Sequence, residues 1–320
     1  MYGVTRPGSP VPDEGTARAI ARSALGEDID HLVRFPTGLT HWVYDVALNS
    51  GRKVVIRIAS PQNRAELVGA VYWHERLRPL DVPLAEILVA DVDAGFPYLI
   101  LERLPGTDLG MIYAELTIGQ RAALAHTVAS LQQRAGRLPE ANGFGYALAY
   151  DSVLEPEWAD VLRASLRRGR GWIDRSGVVA PVWADRVEAK LARIIDTFDD
   201  VRPRAFLHDV TTKNVIVHDG VLSGIVDVDS MAFGDPLWTV ALTRMSLLAM
   251  REPTDYIDAQ VDALAKCGAV VSEARLNLYT ALHGLSFLGE LGQAFNRDAP
   301  PAIDLEHQQH VEGTILWLVQ

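Results

Sequence analysis

Up to about residue 104, two helical stretches apart, the apolar residues recur at strand spacing, and from Leu116 onward they recur at helix spacing. This change of period constrains the fold more than any other feature, because a segment patterned for one element cannot bury its apolar face as the other. In the first part HLVRFPT, HWVYDVAL and RKVVIRIA read as strands, the last two joined by the hairpin signal Asn49-Ser50-Gly51. A helix over Arg64 to Leu77 follows, then the strands AEILVADV and PYLILERL around Asp93-Ala94-Gly95. Residues Gly15 to Ala24 predict a short helix, and the polar, proline-bearing stretch 1–14 is expected to be flexible. In the second part Leu124, Val128, Leu131 and Ala135 mark one buried helix stripe. Further helices are predicted over Asp185 to Thr197, Trp238 to Met250, Asp255 to Lys266 and Glu273 to Gln293. Only AFLH, NVIVHDG and LSGIVDVD read as strands there, with Asp219-Gly220 as a hairpin turn. The fold class is α+β: an N-terminal antiparallel sheet lobe with one main helix, residues 1–104, and a mainly helical C-terminal lobe, residues 105–320.

With 320 residues, 48% hydrophobic and 22% charged, the chain is long and apolar enough to bury a large core. Its net charge of −11, with no clustered run of Lys and Arg, argues against nucleic acid or an anionic membrane as partner, since both need a basic footprint. A cationic small molecule suits that balance better. No stretch approaches the roughly 20 apolar residues of a membrane span, and the N-terminal stretch lacks the apolar centre of a signal peptide. The single cysteine, Cys267, excludes an intrachain disulfide or a cysteine metal cluster and points to a cytoplasmic setting. Lying near Ala265 and Ala269, it is expected to be a small buried hydrophobe. Both a monomer and a homodimer fit this composition.

The chemistry-bearing residues gather in HDVTTKN and GIVDVD. Asp209 and Asn214 stand five residues apart where a strand ends and a hairpin begins, and Asp227 ends the following strand. Moving a phosphoryl group to an alcohol needs a carboxylate that orients the hydroxyl and takes its proton, together with oxygen ligands that hold magnesium against the phosphates. Asp209 suits the first task, and Asn214 and Asp227 the second. The apolar runs around them set these polar groups at the edge of a core, where an idle carboxylate is costly. Asp229 fits either a second metal or substrate contact or a structural role.

The ordered motifs FPYLILERLPGTDL, FLHDVTTKNVIV and GIVDVDSMAFGDP resemble the aminoglycoside phosphotransferase and choline kinase-like family of small-molecule kinases, relatives of the protein kinases. The resemblance runs from about Leu32 to Leu247. It implies a bilobal protein-kinase-like fold and transfer of a phosphoryl group from ATP or GTP, with Mg2+, to a hydroxyl of a small molecule. It also implies Asp209 as catalytic base and Asn214 and Asp227 as metal ligands. The family commonly writes His-Gly-Asp where Leu207 and His208 precede Asp209 here, so either residue can take the histidine position. Three residues past GDP the family often has an aspartate, chiefly structural, where this chain has Thr239. A protein kinase ranks low, because neither an APE-ended activation segment nor a triple-glycine loop is present.

Such a kinase needs a phosphate loop, a cation and a hinge. Thr37-Gly38-Leu39-Thr40-His41, between the first two strands, offers Gly38 and Thr40 to phosphate. Arg57, inside the apolar run KVVIRIA, wants anionic partners, and Lys53, nearer the strand's start, is the competing cation. A helix glutamate should pair with it, Glu66 in preference to Glu75. Glu102 to Leu104 would pair with adenine through the backbone, with Leu39, Ile56 and Ile225 as apolar walls. The acceptor is expected between the catalytic loop and the C-terminal helices, near Asp151, Glu155, Trp158, Asp229, Tyr279, His283 and Glu290. An acidic, aromatic lining favours an amine-bearing acceptor such as an aminoglycoside. Tyr279, His283 and Phe287, however, have the spacing of a core stripe, and the core reading is preferred for them. Antibiotic resistance, metabolic and biosynthetic roles, choline-, sugar- or macrolide-type acceptors, and a non-catalytic nucleotide-binding module all remain compatible with the sequence.

Overall fold

The computed structural model describes residues 11–35, 40–294 and 301–320. Asp13 opens helix α1 (Glu14–Leu25) through a capping box with Thr16, and Gly26 closes it in the left-handed conformation. Of the stretch expected to be flexible, residues 1–10 thus lie outside the described residues, whereas Asp13 and Glu14 are ordered by the cap. Strands β1 (Ile29–Arg34), β2 (Trp42–Leu48) and β3 (Lys53–Ile58) follow, then helix α2 (Arg64–Leu77), β4 (Ile87–Asp91) and β5 (Tyr98–Glu102). They form one antiparallel sheet of order β1-β2-β3-β5-β4, so the last of these strands in the chain enters beside β3 and leaves β4 at the edge. Trp42, Tyr44, Val46 and Leu48 alternate inward with Val54, Ile56 and Ile58 and pack against Ala17, Ile20 and Ala21 of α1. Ile56, expected as a nucleotide wall, is a core residue of that face. Arg57 alternates to the opposite face, toward α2.

The chain continues through β6 (Thr107–Asp108), α3 (Leu109–Ile112), α4 (Ile118–Ala135), β7 (Gly145–Ala147), α5 (Trp158–Ser176) and α6 (Val182–Ile194). Then come β8 (Ala205–Phe206), β9 (Val215–His218), β10 (Val221–Ile225), β11 (Met231–Phe233), α7 (Leu237–Ala249), α8 (Asp255–Lys266), α9 (Glu273–Glu290) and α10 (Leu305–Val319). Helix α9 is the central post of this half, packed by α5, α7 and α10, while α4 packs on α8. Two three-stranded sheets, β10-β9-β6 and β7-β11-β8, carry the loops of interest. The structure therefore adds β6, β7 and β11 to the three strands expected in this half. Pieces of two or three residues are too short to show a period. Helices α5 and α10 were not among the expected elements either. In α5 the buried residues Trp158, Val161, Leu162, Ser165, Leu166, Gly169 and Ile173 keep helix spacing, but five arginines and two glycines dilute the apolar signal. Cys267 caps the end of α8 and is exposed, contrary to its expected burial, because the last turn of that helix faces solvent.

One close approach couples the two halves. A Cβ on Gly69 of α2 would stand 2.4 Å from the backbone oxygen of Asp229, so the helix rests directly on the chain leaving β10. Alanine ordinarily stabilises a helix interior by roughly 0.5–1 kcal/mol over glycine. Gly69→Ala is nevertheless expected to lower stability by about 1–3 kcal/mol through overpacking, as read by chemical denaturation. Unchanged or increased stability would show that this contact yields freely.

Candidate functional site

The loop between β8 and β9 is held from behind by neutral side chains. Gln132 of α4 donates from Nε2 to the Leu207 carbonyl at 2.7 Å and accepts the Leu207 amide at 2.8 Å. The Thr239 hydroxyl lies 2.8 Å from both the Leu207 and the His208 carbonyls, so a neutral threonine fastens this loop. Leu207 is buried at 1% exposure. The imidazole next to Asp209 is that of His208, which bonds to the Ser230 backbone and meets the Tyr146 ring edge-on at 4.8 Å. Burial pushes His208 down to about 4, so the ring is neutral at physiological pH.

Asp209 and Asn214 are one unit: the Asn214 amide donates to the Asp209 carbonyl at 2.8 Å. Burial, with the Asp227 charge added, pushes the Asp209 carboxyl up to about 8 against the hydrogen bond from Asn214. The β9–β10 hairpin brings Asp227 alongside, and the Val226 amide bonds to the Asn214 carbonyl at 3.0 Å. Asp227 adopts a left-handed φ of 65°, uncommon for a residue with a side chain, and its side chain remains 46% exposed. The three residues singled out in the sequence thus converge.

Arg57 joins them from the sheet. Although 7% exposed, it reaches Asp227 Oδ1 through Nη2 and both Asp229 oxygens through Nη1 and Nη2, each at 2.5 Å. Burial opposes its charge, but Asp227 and Asp229 outweigh that and raise it further above the ordinary arginine range. Burial likewise works against the Asp227 carboxylate, yet Arg57, with His41 and His208 behind it, holds it below the usual range. Asp229 is pushed up by burial and by Asp227 in spite of Arg57. The competing cation Lys53 is exposed. His41, Asp227 and Asp229 bring ligand atoms within 4.8 Å of one another. All three contact Arg57, so they form a cradle for a guanidinium, whereas Asn214 and Asp227 offer the all-oxygen donors that suit magnesium.

Several expectations need correction. Glu66 does not touch Arg57: its carboxylate lies 3.0 Å from His41 Nε2, and His41 Nδ1 faces Arg57 Nε at 3.1 Å, so a histidine stands between cation and glutamate. Glu75 is exposed. Asp229, expected on the acceptor side, is bound to Arg57. His283 is a core residue at 7% exposure whose Nε2–H donates to the Trp238 carbonyl at 3.1 Å, so it does not face an acceptor. Trp158 and Tyr279 belong to the same core. The Trp158 indole donates to the Tyr279 hydroxyl at 2.7 Å, which donates to Asp235 at 2.9 Å. Asp151 and Glu155 are exposed, Glu155 pairing through its backbone with Phe144, and Glu290 is half-buried at the end of α9. In the hinge the Glu102 amide is spent on the Glu86 carbonyl at 2.9 Å and the Leu104 carbonyl on Arg103 at 2.7 Å. The adenine reading therefore uses the Glu102 carbonyl and the Leu104 amide. Thr40 is half-buried, whereas Thr37, Gly38 and Leu39 lie outside the described residues, and Ile225 is core. Sequence reasoning missed Gln132 and Tyr146, the latter 39% exposed with its hydroxyl held by Trp238 Nε1 at 2.7 Å. Nothing local to either marks it.

The family model described as the phosphotransferase enzyme family matches residues 31–278. Among solved structures, a thermostable mutant of the aminoglycoside phosphotransferase APH(4)-Ia, in a ternary complex with ADP and hygromycin B, is 17% identical. Its TM-score is 0.66, over 95% of this chain and 98% of that one. APH(2")-IIa, in a ternary complex with streptomycin and ATP, is 11% identical with a TM-score of 0.64, over 96% and 97%. The macrolide 2'-phosphotransferase MphH from Brachybacterium faecium is 18% identical with a TM-score of 0.57, over 93% and 97%. At these identities the likeness is one of fold. No curated protein sequence matches the chain. Among the described residues no helix is long and apolar enough to cross a membrane.

The buried imidazole of His283 makes stability depend on pH. Burial depresses it from 6.5 to about 3, so below about pH 6.5 the unfolded chain takes up a proton that the folded chain refuses. Stability is expected to fall as pH drops through that window, by about 2 kcal/mol from this residue at about pH 5. His283→Asn, which keeps a donor for the Trp238 carbonyl, should flatten the fall in denaturation curves taken between pH 7 and 5, as estimated from that linkage. An unaltered slope would contradict this.

Proposed function

Because the chain belongs to the phosphotransferase enzyme family, we propose that it moves the γ-phosphate of ATP or GTP to a hydroxyl of a small molecule, with Asp209 as base. What carries the reading is the convergence of Asp209, Asn214 and Asp227 with a buried Arg57 arriving from the sheet. Asp209 orients the acceptor hydroxyl and takes its proton as the oxygen attacks the γ-phosphorus and the bond to the β-phosphate oxygen breaks. Its raised proton affinity suits a base working near neutrality. Asn214 and Asp227 would hold magnesium, which when bound neutralises charge on the phosphates. The 46% exposure of the Asp227 side chain supports this, because the carboxylate stays accessible despite the Arg57 contact. Arg57 supplies the fixed positive charge for the phosphates, and the Glu102 carbonyl and Leu104 amide the hinge contacts.

For the acceptor, an amine-bearing molecule is supported by the net charge of −11 and the exposed carboxylates of Asp151 and Glu155. The hygromycin B and streptomycin complexes of the fold neighbours point the same way. Asp229 and His283 contribute nothing to that preference.

The test is phosphoryl transfer from labelled ATP to pooled amines, sugars and antibiotics. Asp209→Asn is expected to lower transfer by about 10²–10⁴-fold while changing Mg·ATP affinity by less than about threefold. Asp227→Asn should weaken Mg·ATP binding itself. Tight ATP binding by the native chain without transfer to any acceptor would instead point to a non-catalytic nucleotide-binding module.

A further inference from the structure

His41 ends the loop expected over the phosphates and immediately precedes β2, yet its side chain is buried at 5% exposure between β3 and α2. An arginine only donates, so His41 Nδ1 must accept from Arg57, whose Nε lies at 3.1 Å and Nη2 at 2.6 Å. The ring proton is then on Nε2, and that atom is 3.0 Å from the Glu66 carboxylate. The order Arg57, His41, Glu66 is therefore a hydrogen bond from the guanidinium to the ring followed by a close electrostatic contact of the ring N–H with the carboxylate, without hydrogen-bond alignment.

The two sides of the guanidinium differ in what a nucleotide would do to them. The Nη groups hold Asp227 and Asp229, and these are the contacts that a metal on Asp227 and phosphates on Arg57 would compete for. His41 Nδ1 meets Nη2 as well, but it alone meets Nε, the one guanidinium nitrogen that neither carboxylate contacts. We propose that His41 is the positioning residue of Arg57: it keeps the guanidinium aimed at the nucleotide phosphates once Asp227 is released, and it transmits the anchorage of Glu66 in place of a direct ion pair. This rests on the reading of Arg57 as the phosphate cation. It also accounts for arginine at position 57, since three guanidinium nitrogens together meet one ring nitrogen and two carboxylates, where a lysine ammonium offers a single nitrogen.

The experiment is calorimetric binding of Mg·ATP and of adenosine to the full chain, because a residue acting through Arg57 is felt only by ligands that carry phosphates. Loss of a hydrogen bond to a charged group predicts that His41→Leu weakens Mg·ATP about tenfold or more and adenosine by less than about twofold. His41→Gln, whose amide offers one acceptor and one donor, should stay within about threefold of the native affinity for Mg·ATP. Glu66→Gln should show a smaller loss of the same kind, and no further loss when added to His41→Leu. Glu66 is 22% exposed and keeps the test open should His41→Leu fail to fold. Equal losses for Mg·ATP and adenosine, or independent effects of His41 and Glu66, would overturn the proposal. Native chain that binds Mg·ATP no more tightly than adenosine would overturn the reading of Arg57, and the role of His41 with it.

Discussion

A guanidinium at 7% exposure inside an antiparallel sheet has to be surrounded by acceptors, because desolvating a lone charge costs more than the sheet can return. Arg57 finds them in Asp227 and Asp229, some 170 residues along the chain, and in His41. This cluster is the polar joint between the sheet and the helical half. The proposed site depends on it in both directions: the cation is aimed by the carboxylates, and Asp227 is kept ionised by the cation.

The supports around the joint are of a different kind. Gln132 and Thr239 fasten the loop carrying Asp209 through backbone groups, with no charge of their own. A neutral clamp leaves the local field to the carboxylates, so the proton affinity of Asp209 is set by burial and by Asp227. The approach of α2 at Gly69 adds a steric register to this electrostatic one. Helix α9, fully committed to packing, supplies rigidity: its Tyr279 and His283 bond inward to Trp158, Asp235 and Trp238.

Much of this was legible in the residues. The strands of the first half showed because two-residue alternation with β-branched side chains is a local signal, and the helix over Arg64 to Leu77 showed its period for the same reason. Asp209, Asn214 and Asp227 stood out because polar groups flanked by VIV and GIV need a reason to be there. Strands of two or three residues, and the arginine-rich α5, fell below what periodicity resolves. The exposure of Cys267 and the burial of His283 were misjudged or left open, since which side of a helix faces solvent depends on what packs beside it.

By itself the sequence determined the division into a sheet half and a helical half, the order of the motifs, and the family to which the chain belongs. Those properties rest on local period and on the spacing of a few residues along one strand or loop. Only the tertiary structure decided that His41 stands between Glu66 and Arg57, that Asp229 binds Arg57, and that the imidazole beside Asp209 is that of His208. The physical reason is that a charge takes whichever partner the packing brings within about 3 Å, and that distance is set by elements far apart in the chain.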